Sequence, residues 1–416
     1  MKRIVKIGLF LAMLVACFSM AWAAPVEITW WSPIWGQVRA QELIKKFEAE
    51  NPDIKVNLQT TVANDLQNKV LITLQSGSAP DLIDIQNGWN TPYAEMGGLL
   101  ALDKMVADSK VNVADFVKVG WQTAKTKNKV YGIPYRMEAH GLIYNKRLYK
   151  EAGLDPNRPP LTWDELIAYS QKLTKKTSKG DQYGYGICGG GEIGNMIYRL
   201  VPQIWMNGGE VLSKDNSKAL INQAAAVKAV EFYTGMFTKY KVSPPSTLEN
   251  DGLALRKLFD AELLAQYQQG PSDLAPIKSE NPDIELGVGP IPAPKGKKPT
   301  AMLGGWNFVI PAKAPHPKEA WKFILFLIKP ANAAYYTDTF PATYSAMKEP
   351  RFAAPELKGF IDMLPFARPA PNTKAWIQIS QIIYNNVQKV LLGESNAQTA
   401  MNAAAQQINN ALAVNK

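Results

Sequence analysis

The residues that could do chemistry in this chain are aromatic rings placed beside amides and glycines. Clusters of this kind are Asn-Gly-Trp-Asn at 87–90, Trp-Met-Asn-Gly-Gly at 205–209, Gly-Gly-Trp-Asn at 304–307, and the pair Trp31 and Trp35. The apolar face of a sugar ring stacks on such aromatic rings, while its hydroxyls exchange hydrogen bonds with neighbouring amides. The pattern favours carbohydrate binding over packing alone.

Motifs of covalent and metal-dependent catalysis do not occur in the sequence. It has no Gly-x-Ser-x-Gly elbow, no His-Glu-x-x-His helix and no phosphate-binding Gly-x-x-x-x-Gly-Lys loop. Its two histidines, His140 and His316, are too few for a typical zinc site, and Cys188 in apolar surroundings is typical of a buried small residue. The sequence therefore predicts no catalytic residue, no metal and no cofactor. A glycoside hydrolase with two opposed carboxylates remains the enzyme alternative.

Charge is moderately positive and dispersed. The formal charge of +10 becomes 10 − 3 = +7 if a leader with Lys2, Arg3 and Lys6 is removed. No block of five like charges occurs, so nucleic acid is not an expected partner. A solvated basic surface is the favoured interpretation, and attraction of an anionic ligand is the alternative.

The start of the chain has the pattern of an export signal. A positive beginning is followed by an uncharged apolar stretch at 7–20 and by Ala-Trp-Ala at 21–23. We predict a signal peptide at 1–23 and a soluble protein in the periplasm or outside the cell. The apolar stretch is short against the roughly 20 residues of a membrane span. Leu-Val-Ala-Cys at 14–17 resembles a lipobox, which leaves a lipid anchor on Cys17 as an alternative.

Alternating strand and helix signals follow the leader. A β-rich run at 26–31 precedes helically spaced apolar residues that end at Asn51-Pro52, then a strand from Ile54, a helix closed by Gly77, and an apolar strand at 82–85. This order predicts an α/β fold with parallel strands, in which ligands gather at the carboxyl ends of the strands.

Helix signals recur in the second half of the chain. Thr162 and Glu165 form a predicted capping box, and apolar stripes mark helices at 320–327 and 401–412. The proline-rich segment 289–299 is predicted to be a long surface connection.

Motifs in a fixed order carry a family resemblance that runs from about Val26 to the C-terminus. They are Lys-Phe-Glu-Ala-Glu-Asn-Pro at 46–52, Gly-Ser-Ala-Pro-Asp-Leu at 77–82, Tyr-Gly-Ile-Pro-Tyr at 131–135, Leu-Ile-Tyr-Asn-Lys at 142–146, Leu-Thr-Trp-Asp-Glu-Leu at 161–166, and Ala-Trp-Lys-Phe-Ile at 320–324. The chain resembles the extracellular solute-binding proteins of bacterial ABC sugar importers, family 1, which includes maltose-binding protein.

The resemblance implies a two-lobed periplasmic binding-protein fold of type II, with a ligand cleft between the lobes and hinge closure on binding. Its implied boundaries are 24–135 plus 306–352 for the N-terminal lobe and 136–305 plus 353–416 for the C-terminal lobe. It also implies a non-enzymatic monomer that delivers a sugar or short oligosaccharide to ABC permease subunits.

The resemblance transfers ligand contacts to individual positions near strand ends. Trp35 follows the first strand, and Gln86, Asn87 and Trp89 follow the strand at 82–85. Glu138 matches a sugar-contacting glutamate. Arg136 lies two residues earlier and on the same side of an extended segment.

The remaining candidates bear on which ligand is bound. Tyr198 matches a ring-stacking tyrosine, and Ser272 stands where maltose-binding protein has a tryptophan, which disfavours a maltodextrin. Gly305 and Trp306 resemble a cleft loop of sugar binders and of relatives that bind glycerol phosphate esters. Tyr344 lies in a similar stretch, and Arg368 would suit a phosphate or carboxylate. A binding protein for glycerol 3-phosphate, its diesters or another anionic polyol is therefore the alternative ligand hypothesis.

Overall fold

A computed structural model describes residues 24–414 of the 416-residue chain. The predicted signal peptide and Cys17, the position of the alternative lipid anchor, lie outside the described residues. Within residues 24–414, no helix combines the length and apolar character needed to cross a membrane.

The strands are short and are distributed over the whole described chain. They are β1 (Val26–Pro33), β2 (Ile54–Thr61), β3 (Leu82–Gln86), β4 (Lys125–Thr126), β5 (Lys129–Val130), β6 (Ile133–Glu138), β7 (Gly141–Asn145), β8 (Lys175–Thr177), β9 (Gly180–Gln182), β10 (Gln266–Gln269), β11 (Leu286–Gly289), β12 (Ala301–Met302), β13 (Gly304–Val309), β14 (Phe340–Pro341) and β15 (Ala367–Arg368).

The helices alternate with the strands near the start of the chain and dominate its end. They are α1 (Gln37–Glu50), α2 (Ala63–Ser76), α3 (Asn90–Glu95), α4 (Asp103–Asp108), α5 (Lys118–Thr123), α6 (Lys146–Glu151), α7 (Trp163–Leu173), α8 (Ile193–Met206), α9 (Ala224–Thr238), α10 (Gly252–Asp260), α11 (Leu274–Glu280), α12 (Pro317–Leu327), α13 (Pro330–Tyr336), α14 (Lys358–Ile361), α15 (Trp376–Leu391) and α16 (Ala397–Val414).

A six-stranded sheet forms the first unit of the fold, in the order β14-β6-β13-β3-β1-β2. Strand β1 pairs in parallel with β2 and β3, which confirms the predicted strand and helix alternation. Strand β13 arrives from much later in the sequence and pairs antiparallel with both β3 and β6. The sheet is therefore mixed, and its centre joins segments about 200 residues apart.

The helices beside this sheet form for the reasons that the sequence indicates. Helix α1 buries Ala40, Leu43, Ile44 and Phe47, the predicted apolar stripe. Helix α2 ends at Gly77, whose φ of 81° is the left-handed conformation that glycine adopts at little cost.

A second unit contains the antiparallel sheet β10-β7-β11 and a helical layer. Helix α7 begins with the predicted capping box, because Thr162 accepts from the Glu165 N–H while the Glu165 side chain accepts from the Thr162 N–H. Helices α8, α9, α15 and α16 pack together around buried residues such as Leu200, Val230 and Ile383.

Two predictions outside the ligand site are tested by burial. Cys188 is fully buried, as predicted, and burial raises the pKa of its thiol to about 11. The prediction that 289–299 is a surface connection is wrong for its first half. Ile291 and Ala293 are buried in an apolar cluster with Met206 and Met363, and the backbone of Ala293 pairs with Leu161 and Trp163 at the start of α7.

The chain passes between the two units with very short connections. Strand β6 ends at Glu138 in the six-stranded sheet, and β7 begins at Gly141 in the other sheet. On the return, β12 ends at Met302 and β13 begins at Gly304. The end of β6 and the start of β13 are paired neighbours, Glu138 opposite Gly304. These connections place both strand ends at the junction of the units.

Candidate ligand site between the two units

A cavity lies at this junction, at the carboxyl ends of β3 and β6. One wall comes from the six-stranded sheet and the facing wall from the first turns of α8 and the end of β10. The residues that line it are Gln86, Glu138, His140, Glu192, Gly194, Asn195, Tyr198, Arg199, Gln269, Gly305 and Trp306. Five of the predicted site residues are thus brought together, namely Gln86, Glu138, Tyr198, Gly305 and Trp306.

Two further predicted residues line neighbouring cavities. Trp89 lines a cavity that shares Gln86 and Tyr198 with the first, and Asn87 lines another one beyond Gly88. The Tyr198 hydroxyl donates to Asn87 Oδ1 at 3.5 Å, from α8 to the end of β3. The cavities therefore follow one another along the same cleft.

Arg136 does not line these cavities but pairs with Glu138, which does, and its guanidinium is surrounded by acceptors. Its Nε donates to Asp338 at 2.6 Å, its Nη2 to Glu138 at 3.4 Å, and its guanidinium lies 4.7 Å over the Trp35 ring. Burial opposes its charge, but the two carboxylates outweigh burial and raise the pKa of Arg136 above its usual value. Arg136 therefore has its charge neutralised within the protein.

The Glu138 side chain packs closely against the backbone of two glycines. A Cβ on Gly304 would lie 2.6 Å from Glu138 Cγ, and one on Gly270 would lie 2.9 Å from Glu138 Oε2. Gly305 has a φ of 151°, and a Cβ there would lie 2.3 Å from the Arg136 carbonyl oxygen. Any side chain at these positions would displace Glu138 or the strand pairing, which explains the glycine pair before Trp306.

The carboxyl groups of the cavity are poorly solvated. Burial raises the pKa of Glu138, although Arg136 acts in the opposite direction. Burial also raises the pKa of Glu192, with Asp251 adding to the effect. Both groups are therefore in surroundings that favour hydrogen-bond donors from a ligand.

Trp35 does not line the cavity but supports it from behind. Its ring is 6.1 Å from Trp306 and 6.4 Å from Tyr135. Trp306 in turn lies 5.7 Å from Trp89. The predicted tryptophans therefore form a connected array, and Trp306 is the member that lines this cavity.

Three more predicted residues, in addition to Arg136 and Trp35, do not line these cavities. Ser272 lies in a short 3-10 turn before α11, and Tyr344 is 51% exposed with its backbone N–H bonded to Asp115. Arg368 forms two 3.0 Å hydrogen bonds with Glu210 and lies 4.4 Å over the Trp205 ring. The guanidinium thus already has a carboxylate partner.

Sequence reasoning missed several polar residues of the cavity. They are His140, Glu192, Asn195, Arg199 and Gln269. Asn195 and Arg199 lie three residues before and one after Tyr198 on α8, so helical spacing from the predicted tyrosine could have found Asn195. His140 lies two residues beyond Glu138, just past the end of β6, and the two-residue period of extended backbone could have found it.

Arg199 and His140 bring further polar groups to the deep end of the cavity. Arg199 is 2% exposed and donates to the carbonyl oxygens of Gln268 and Asn195, while its buried Nη2 has no hydrogen-bond partner among the described residues. Burial and the two arginines hold the pKa of His140 well below its usual range, so its imidazole is neutral. The cavity thus combines carboxylates, amides, one guanidinium and aromatic faces.

Comparison with known proteins places this fold in a family. A sequence model described as bacterial extracellular solute-binding protein matches residues 36–334, more than half of the chain. The chain belongs to this family. Membership agrees with the resemblance found in the sequence and with the position of the cavity between two α/β units.

A solved structure that is similar to this chain shares its fold over nearly the whole length. A solute-binding protein from Thermotoga lettingae, solved with α-D-tagatose, is 29% identical with a TM-score of 0.85, covering 93% of this chain and 100% of that one. The match establishes the two-lobed fold.

Among relatives, the sn-glycerol-3-phosphate-binding periplasmic protein of Pectobacterium atrosepticum is 25% identical over 438 residues, covering 95% of this chain and 93% of that protein. The lactose-binding protein of Rhizobium radiobacter is 25% identical over 335 residues, 78% of this chain and 75% of that protein.

Proposed function

We propose that this chain is the extracytoplasmic binding component of an ABC importer, which captures a neutral sugar or short oligosaccharide in the cavity and delivers it to the permease. The observation that carries the proposal is the arrangement around Trp306. Its ring and Tyr198 line the same cavity as two carboxylates and three side-chain amides. The binding role is non-enzymatic.

A neutral polyhydroxyl ligand suits this mixture of groups. A hydroxyl both donates and accepts, so neighbouring hydroxyls can donate to Glu138 and accept from Asn195 or Gln269. The ring carbons can lie against Trp306 and Tyr198. Relatives named for lactose binding and a structure with tagatose support the same ligand class.

An anionic ligand is the second candidate, because of the net charge and the glycerol-3-phosphate-binding relative. The two arginines that sequence reasoning assigned to an anion are engaged, Arg136 by Asp338 and Glu138 and Arg368 by Glu210. Arg199 would have to hold an anion in the presence of Glu138 and Glu192. Repulsion by two carboxylates favours the neutral ligand.

We infer a division into lobes a few residues from the boundaries expected from sequence, 24–135 plus 306–352 and 136–305 plus 353–416, since β6 up to Glu138 and β13 from Gly304 both belong to the six-stranded sheet. One apolar cluster joins residues such as Ile28, Ile85 and Phe308, and another joins Leu142, Ile204 and Ile408. Hinge movement at the short connections would close the cavity over the ligand, and the permease would respond to the closed form.

Titration calorimetry of the mature chain from Ala24 tests the ligand class. We expect a neutral mono- or disaccharide from a panel to bind with an affinity that salt hardly changes, because no net charge is transferred to the site. Glycerol 3-phosphate is the matched anionic probe. Binding of glycerol 3-phosphate that weakens with added salt, together with no binding of neutral sugars, would overturn the proposal in favour of the anionic ligand.

A further inference from the structure

Asp84 on β3 is a fully buried carboxylate that accepts four side-chain hydrogen bonds. Trp30 Nε1 donates to its Oδ1 at 2.7 Å, and Ser32 Oγ donates to its Oδ2 at 2.8 Å. The hydroxyls of Tyr135 and Tyr336 both donate to Oδ2 at 3.0 Å. One side chain therefore fixes groups from β1, β6 and α13.

The two tyrosine rings held by Asp84 belong to the aromatic support of the cavity. Tyr135 stacks on Phe308 with ring centroids 4.0 Å apart, and Phe308 lies on β13 opposite Asp84. Trp35 lies 6.4 Å from Tyr135 and 5.8 Å from Tyr336. Rotation of either tyrosine would remove part of the surface on which Trp35 rests.

Trp35 connects these rings to Trp306, which lines the cavity, and to Arg136, which pairs with a lining residue. Its ring is 6.1 Å from Trp306 in the cavity wall and 4.7 Å from the guanidinium of Arg136, which bonds Glu138. On the same strand, Gln86 follows Asp84 by two residues, on the same face, and lines the cavity. The chain of contacts from Asp84 to the cavity is therefore short and continuous.

We propose that Asp84 is a positioning residue of the ligand cavity: it locks Tyr135 and Tyr336 behind Trp35 and so sets the placement of Trp306 and Arg136. It acts through these rings and does not touch the ligand itself. The inference rests on the proposed sugar-binding function for its affinity readout but has a second readout that does not.

The surroundings of Asp84 contain few charges. Ser32 and Trp30 face it from β1, Tyr135 from β6, Tyr336 from α13 and Phe308 from β13. Burial raises the pKa of Asp84 from 3.8 to about 7, while the four donors act in the opposite direction. Arg136, next to Tyr135 in sequence, is the neighbouring cation, and its charge is neutralised by Asp338 and Glu138.

Three tyrosine-to-phenylalanine variants test the affinity effect without removing a ring. Tyr135→Phe and Tyr336→Phe each delete one donor to Asp84. Tyr233→Phe deletes a buried 2.7 Å hydrogen bond to the Cys188 carbonyl in the other unit and is the matched control. We expect sugar affinity to fall about five- to tenfold in Tyr135→Phe and in Tyr336→Phe, because each variant loses one hydrogen bond to Asp84 behind the cavity. The affinity of the control should be unchanged.

The second readout is the indole N–H of Trp30 in the NMR spectrum of the full mature chain, assigned with Trp30→Phe. Its chemical shift should titrate with a midpoint near pH 7 in the native protein. Tyr336→Phe should move the midpoint upward because it removes a donor that favours the carboxylate. Asp84→Asn should abolish the titration.

The outcomes separate this inference from the proposed function. Unchanged affinity in both Asp84-linked variants, or equal losses in all three, would overturn the positioning role even if sugar binds well. Absence of sugar binding by the native protein would refute the proposed function alone. The Trp30 resonance then still decides, since an unchanged Trp30 chemical shift in both Tyr336→Phe and Asp84→Asn refutes the Asp84 network and a shifted midpoint in Tyr336→Phe supports it.

Discussion

Glu138 is the cavity-lining carboxylate that pairs with Arg136. It shares Arg136 with Asp338, and its own pKa is raised by burial. A ligand hydroxyl that donates to Glu138 would replace the water that the carboxylate lost on burial. The residue is therefore expected to contribute affinity through one charged hydrogen bond.

Glu138→Gln should lower sugar affinity by about 1.5–3 kcal/mol, the usual value of a hydrogen bond to a charged group. Calorimetry measures this loss, and Glu151→Gln, on an exposed acid paired with Arg147, is the control without effect. A glycoside hydrolase would behave differently. Turnover of a glycoside by the native protein, lost by orders of magnitude in Glu138→Gln, would contradict the binding role.

Asp84 should make stability depend on pH. Its folded pKa of about 7 lies above its ordinary value of 3.8, so the folded chain binds the proton more tightly. Its stabilising contribution is complete below the unfolded pKa and is lost as pH rises through the folded pKa. The free energy of unfolding of the native protein should therefore fall relative to Asp84→Asn between about pH 4 and pH 7.

Urea unfolding at several pH values measures this difference. Asp362→Asn, which changes an exposed acid paired with Lys358, should follow the native curve throughout. A constant difference between the native protein and Asp84→Asn across this pH range would show that the Asp84 carboxyl does not titrate in the folded chain.

Sequence reasoning could locate cavity-lining positions near a local motif, but it had no information on contacts with residues far away in the sequence. Glu138 lies between the family motifs at 131–135 and 142–146, Trp306 lies in the Gly-Gly-Trp-Asn cluster, and both line the cavity. Arg368 was assigned to a ligand because its partner Glu210, 158 residues away, cannot be read from sequence. Sequence reasoning missed Arg199, because a charged residue among the apolar residues of α8 does not indicate which side of the helix lines the cavity.

At the scale of elements, local patterns were informative and long-range pairing was not. The capping box of α7 and the glycine at the end of α2 depend on neighbours within a few residues, and both were predicted. The antiparallel insertion of β13 between β3 and β6 depends on Trp306 meeting Gln86 and Arg136. No local signal specifies such a pairing, although it builds the cavity wall.

The capping box of α7 offers a test of stability that should leave binding intact. Thr162→Ala removes the acceptor for the Glu165 N–H and should lower the free energy of unfolding by about 1 kcal/mol. Thr162→Ser keeps a hydroxyl and should cost little. Denaturant unfolding measures both changes, and a matching loss of sugar affinity in Thr162→Ala would show that α7 contributes to the ligand site.

At the scale of the molecule, two units meet at a cavity with short connections, so closure is the expected response to ligand. Small-angle scattering of the mature chain should show a smaller radius of gyration at ligand saturation than without ligand. Glu138→Gln at the same sugar concentration provides a control with reduced occupancy. An unchanged radius of gyration at verified saturation would contradict hinge closure.

The burial of Cys188 has a practical consequence for following that motion. A thiol with no exposed surface and a raised pKa reacts slowly with maleimides and iodoacetamides. A cysteine introduced at an exposed position on either unit would then be the site that takes up a dye. The protein could be converted into an optical sensor for its own ligand without first removing a native cysteine from the described part of the chain.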